Sequence, residues 1–141
     1  TENLAAIAGF GAAAREALRF SPRDPFAAIY CGVAAYCQYV GKNYDEAIRL
    51  CREALRQRSD FVGAHRVLTA AAAMAGRNDV AKIALQDLRA AQPNISLGWI
   101  ERRMPFERDA DRKHYLRGFQ LAGLKCTVHW SAEGYLTLFA I

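Results

Sequence analysis

Ala47 and Ala81 stand 34 residues apart in matching surroundings. The stretch Tyr44-Asp45-Glu46-Ala47-Ile48 aligns with Asn78-Asp79-Val80-Ala81-Lys82, and each follows a glycine turn, Gly41-Lys42-Asn43 and Gly76-Arg77-Asn78. Downstream of both comes a helix-end pattern, Ala54-Leu55-Arg56-Gln57-Arg58-Ser59 and Leu88-Arg89-Ala90-Ala91-Gln92-Pro93, with an earlier copy at Ala17-Leu18-Arg19-Phe20-Ser21-Pro22. A fixed period of this length marks one supersecondary unit repeated, each copy burying its apolar face against the next.

Each copy divides into two helical halves. In the second half of the first complete copy, Ala47, Ile48, Cys51, Ala54 and Leu55 recur at three- and four-residue spacing and form one stripe, while Arg49, Arg52 and Arg56 point away. Val80, Ala84, Leu88 and Ala91 form the corresponding stripe in the next copy. The first halves, residues 25–40 and 61–75, are apolar on nearly every side, the pattern of a helix packed on more than one face. Gly41 and Gly76 are expected to close them, and Pro22, Pro25 and Pro93 punctuate the gaps. Residues 69–76, TAAAAMAG, carry little larger than a methyl group. Two helices approach to about 8–10 Å only where the side chains at the crossing are small, so another element should lie close against this run.

A helical pair of this length resembles the tetratricopeptide repeat. The matching small positions are Ala34, Ala47 and Ala54 in one unit and Thr69, Ala72 and Ala81 in the next, with the turn glycines Gly41 and Gly76, the aromatic Tyr44 and the terminal Pro93 also in place. The chain departs from the pattern by one extra residue between Gly41 and Tyr44, by His65 and Asn78 where aromatics are usual, and by Ser59 in place of a closing proline. On its C-terminal side, Ala64-His65-Arg66-Val67-Leu68, Gly76-Arg77, a short helix from Ile95 to Arg103, Arg103-Met104-Pro105-Phe106 and a helix carrying Tyr115-Leu116, Gly118 and Ala122-Gly123-Leu124 resemble the tetratricopeptide region that follows the catalytic domain of bacterial class III adenylate cyclases and occurs in some winged-helix regulators. The likeness spans roughly residues 20–124. No stretch resembles the cyclase catalytic domain or a winged helix, so the resemblance implies an accessory protein-interaction or regulatory role and no enzymatic activity.

The resemblance also implies a concave binding surface built from the first helices of successive units. Carried over position by position, it is formed by Ala28, Cys31, Ala35, Gln38 and Tyr39 in one unit and Gly63, Arg66, Ala70, Ala73 and Met74 in the next. The expected groove-binding residues are therefore Gln38, Tyr39, Arg66, Ala70, Ala73 and Met74, with Ala70 and Ala73 as a smooth floor for a packed helix or apolar peptide. The competing reading is that the alanines only permit tight packing within the array.

Other chemistry is thinly represented. The net charge is +5, but residues 1–60 hold eight basic and seven acidic side chains, 61–100 four and two, and 101–141 seven and five. The excess is spread rather than gathered on one face, which argues against nucleic acid, and Glu46 and Glu53 are placed to pair with Arg49 and Arg56 along one helix. His65, His114 and His129 stand in no metal or catalytic spacing. His65 reads as a wedge between helices and His114 as a solvated side chain. Cys31, Cys37, Cys51 and Cys126 form no C-x-x-C pair, and 141 residues bury enough surface without staples, so the cysteines read as core thiols in a reducing compartment. No cofactor or metal is expected. No apolar run approaches the roughly 18 residues of a membrane span and no signal peptide is recognisable, so a cytoplasmic protein is expected, with the start at Thr1 reading as trimmed.

In the tail, residues 125–141, Cys126, Val128 and Trp130 alternate with Thr127 and His129, a turn is offered at Ser131-Ala132-Glu133-Gly134, and Tyr135, Thr137 and Phe139 alternate with Leu136 and Leu138. That is the pattern of a hairpin. The chain is thus expected to be an all-α, tetratricopeptide-like solenoid over residues 1–124, with a partial repeat at 1–24, repeats at 25–60 and 61–94 and capping helices at 95–124, followed by an apolar extension. Its expected partner is a protein or peptide. The alternative is a self-associating module, a homodimer formed through the terminal helix or through Trp130, Tyr135, Leu138 and Phe139 of the tail.

Overall fold

The computed structural model describes residues 2–21, 23–104, 108–125, 127–130 and 136–139, with residues 2–8, 10 and the two tail strands described by their backbone. Among the described residues seven helices follow one another: α1 (Glu2–Phe20), α2 (Ala27–Val40), α3 (Tyr44–Gln57), α4 (Val62–Met74), α5 (Asn78–Ala91), α6 (Leu97–Arg103) and α7 (Asp109–Ala122). The body of the molecule is all-helical. Each of the first four helices packs on the next, α2 also meets α4, and α7 lies against α2, α4, α5 and α6.

The sequence pattern accounts for most of this. On α3, Ala47, Ile48, Leu50, Cys51 and Ala54 are buried, while Arg49, Arg52 and Arg56 are exposed. Arg49 pairs with Glu46 at 2.7 Å and Arg56 with Glu53, as their spacing suggests. On α5 the buried stripe is Ala81, Ala84, Leu85 and Leu88; Ala91, expected in it, is the last residue of the helix and is exposed. Helix α4 touches α2, α3, α5 and α7, and nine of its residues are buried, from Ala64 and His65 to the run Val67–Ala73. A helix surrounded in this way keeps little wet surface, which is why residues 61–75 show no amphipathic period.

The 34-residue offset holds in the backbone hydrogen bonds. After α2, Lys42 N–H donates to Tyr39 O and Asn43 N–H to Gln38 O; after α4, Gly76 N–H donates to Ala73 O and Arg77 N–H to Ala72 O. Both are Schellman closures. The left-handed residue of the second is Gly76 (φ 75°), but that of the first is Lys42 (φ 62°), with Gly41 one position earlier at φ −74°. Gly41 is therefore not the counterpart of Gly76, and no residue is inserted in the first turn. The glycine is displaced by one position while the chain path is preserved.

Helix α7 answers what lies against the alanine run. A Cβ placed on Gly118 would stand 2.8 Å from Ala70 Cβ, 2.9 Å from Ala70 O and 2.6 Å from the Tyr39 hydroxyl. The α7 backbone thus sits directly on α4, an approach open only to glycine on one side and alanine on the other. Tyr115 and Phe119 of α7 are buried to 1 % and 0 % exposure. Their rings pack edge to face at 5.0 Å, and Tyr115 meets Tyr36 and Tyr39 edge-on at 5.4 and 5.3 Å.

Beyond α7, β1 (Thr127–Trp130) and β2 (Leu136–Phe139) pair antiparallel with Val128 opposite Leu138 and Trp130 opposite Leu136. Cross-strand partners share a face of a ribbon. Positions 128, 130, 136 and 138, all apolar, therefore share one face, and positions 127, 129, 137 and 139 share the other. Of the expected self-association residues, Trp130 and Leu138 fall on the first face and Phe139 on the second, while Tyr135 lies outside the described residues.

Candidate functional site

Two open apolar hollows lie side by side on α1, α2 and α4 and together outline a groove. The two share Val33. One, of about 290 Å³, lies between α1 and α2 and is lined by Ala13, Ala14, Ala17, Ile29, Tyr30 and Val33. The other, of about 300 Å³, lies between α2 and α4 beside the end of α6 and the middle of α7, against Val33, Tyr36, Phe61, Arg66, Val67, Met104 and Tyr115. Val33 is 36 % exposed although every second-turn neighbour on α2 is apolar.

The floor of the second cavity depends on two glycines. The Phe61 ring lies so close to Gly32 and Gly63 that a Cβ on either would come within 2.7 or 2.9 Å of ring carbons. Any larger residue at those positions would force the ring to shift. The Arg58 guanidinium caps the Phe61 ring at 5.7 Å. Arg66 is the one charged side chain among the described lining residues. Its guanidinium stands 5.0 Å from the Trp99 ring centroid and donates a long bond of 3.4 Å to Gln92 Oε1.

The sequence-derived site residues are divided by this geometry. Arg66 lines the groove. Tyr39 and Ala70 are 0 % exposed and Ala73 is 6 % exposed; Tyr39 and Ala70 lie under α7, which occupies the floor expected for a ligand. Tyr39 donates from its hydroxyl to His114 O at 2.7 Å and serves as an anchor for α7. Gln38 is half-buried and accepts a 3.2 Å bond from Asn43 Nδ2, and Met74 packs on the core. Of the other inward positions, Ala28, Cys31 and Ala35 are buried and Gly63 reaches the cavity. Ile29, Val33, Tyr36 and Val67 were missed. They recur at helical spacing, but α2 and α4 are apolar all round, so periodicity could not pick out which face stays open.

His114 is also placed differently from the solvated side chain expected. Its ring stacks on Tyr39 at 4.6 Å and its Nε2 is 2.7 Å from the Tyr44 hydroxyl. Burial, and then the nearby Lys42 charge, lower its pKa against a smaller opposing effect of Asp111, so the ring is neutral and accepts from Tyr44. Burial raises the pKa of Tyr44 and pushes Tyr36 up to about 12, which keeps both hydroxyls as donors. His65, the expected wedge, is buried, and its Nε2 donates to Ser59 O at 2.9 Å, while its Nδ1 is buried without a partner.

Cys31, Cys37 and Cys51 are free, and burial raises the pKa of all three thiols. They are held protonated, the opposite of what a nucleophilic thiolate requires. Cys126 lies outside the described residues. Among the described residues no cluster of three or more His, Cys, Asp or Glu side chains could hold a metal ion, and no helix is long and apolar enough to cross a membrane. Comparison with protein-family models, with curated proteins and with solved structures gives no match.

Proposed function

We propose that the chain is a protein-interaction module of the tetratricopeptide type, a regulatory or scaffolding part of a larger bacterial signalling protein, which receives an apolar peptide or helix in the groove across α1, α2 and α4. The observation that carries this reading is that two open apolar cavities adjoin at the partly exposed Val33, which lines both. A folded surface that keeps an apolar strip open over three helices is suited to a partner segment. The 34-residue recurrence of the Schellman closures supports the repeat assignment. The free cysteines fit a reducing compartment, the cytoplasm.

The test is selection of random displayed peptides on the immobilised chain, followed by affinity measurement on two variants. Val33→Glu places a charge in the groove and should abolish binding of the selected peptides. Ile83→Glu, on the exposed side of α5, should leave it unchanged. Binding indifferent to Val33→Glu, or no selected peptide at all, contradicts the assignment.

A second reading, self-association, is favoured by the hairpin register, which gathers positions 128, 130, 136 and 138 on one face. Light scattering on the full chain beside a chain ending at Leu124 separates the two. A dimer that becomes a monomer on truncation identifies the tail as the interface; monomers in both cases leave the groove as the interaction surface.

A further inference from the structure

We infer that the groove takes a segment of another protein in which apolar side chains flank a single aspartate or glutamate, and that Arg66 receives that side-chain carboxylate. The inference rests on the groove reading above and adds the chemistry of its occupant. Arg49, Arg56, Arg58, Arg77 and Arg112 each pair with a carboxylate of this chain. Arg66, like exposed arginines such as Arg52 and Arg89, pairs with no carboxylate among the described residues, but it alone of these lines the groove, over the face of Trp99 and with one long bond to the neutral Gln92.

A cation–π contact with an indole holds a guanidinium while using none of its N–H donors. The surroundings are Val33, Tyr36, Val67 and Met104. An ordered cation with few satisfied donors in an apolar groove is complementary to an anion arriving with its own apolar flanks, because the ion pair then forms where water is partly excluded. A single arginine provides one bidentate site, which matches one carboxylate and offers nothing for a run of acidic residues. The open form of both cavities suits a chain segment laid across the helices rather than an engulfed small molecule.

The probes are synthetic peptides made from the sequences selected on the full chain. An Asp or Glu should be enriched at one position between apolar residues. Changing it to Asn or Gln should weaken binding about tenfold or more, as should Arg66→Gln. The two changes together should cost little more than either alone, and Arg66→Lys should restore part of the loss. The effect should shrink as salt is added, and amidating the peptide C-terminus should change nothing. Thermal unfolding of each variant separates loss of the site from loss of α6 packing. Peptides that bind and are lost on Val33→Glu, but show no acidic preference and ignore Arg66→Gln, overturn this inference while leaving the groove reading intact. Binding that survives Val33→Glu, or no selected peptide, overturns both. Loss of affinity on amidation moves the carboxylate to a chain terminus and overturns the side-chain assignment. Self-association of the chain abolished by Val33→Glu makes a second copy the occupant and equally overturns it.

Discussion

Lys42 and His114 each carry a consequence that no local pattern announces. Lys42 occupies the left-handed position that Gly76 occupies in the next turn. An L-residue there costs about 1–2 kcal/mol, part of which glycine returns through the greater freedom of its unfolded chain. Lys42→Gly should therefore stabilise the fold by about 0.5–1 kcal/mol, measured as a higher urea midpoint with an unchanged slope. For His114 the folded pKa lies below the ordinary 6.5, so the folded state binds fewer protons than the unfolded chain. The associated stability is intact above pH 6.5, is lost as the pH falls below that value, and stops changing once the folded pKa is passed. The melting temperature should drop between neutral pH and about pH 5, and His114→Gln should flatten that drop; an unchanged slope in the variant would remove His114 from the account. Sequence alone could not show this site, because Tyr44 and Tyr39 lie 70 and 75 residues away from His114 and meet it only when α7 docks.

At the scale of the element, legibility followed solvent exposure. Helix α3 has one wet face, so its stripe and its arginine–glutamate pairs could be read from spacing. Helices α2 and α4 could be recognised as buried helices, but which residues line an opening and which lie under α7 depends on a crossing that no periodicity encodes. That crossing is set by Gly118 against Ala70. Gly118→Ala should push α7 from α4 and destabilise the fold by about 1–3 kcal/mol, read from chemical denaturation. The same variant should expose Tyr39 and Tyr115 more than a substitution on the solvent side of α7, such as Arg117→Ala, does. If Gly118→Ala is neutral, the close approach is not what holds α7 in place.

Across the whole molecule, the 34-residue period was legible because it is written in turn chemistry and small residues, and it reappears as equivalent hydrogen bonds at both helix closures. The position of α7 was not. It converts the expected alanine floor into core and leaves the open surface displaced toward α1, α2 and the start of α4. On the proposed function, a partner segment lies on that displaced surface. The most direct test is to titrate the isotopically labelled full chain with a peptide selected on it and follow the backbone amide resonances. The account predicts shifts clustered at Val33, Tyr36, Phe61, Val67 and Met104, with α3 and the outer side of α5 unmoved. Shifts centred on α3, on the outer side of α5 or on the tail strands, with the groove silent, would contradict it.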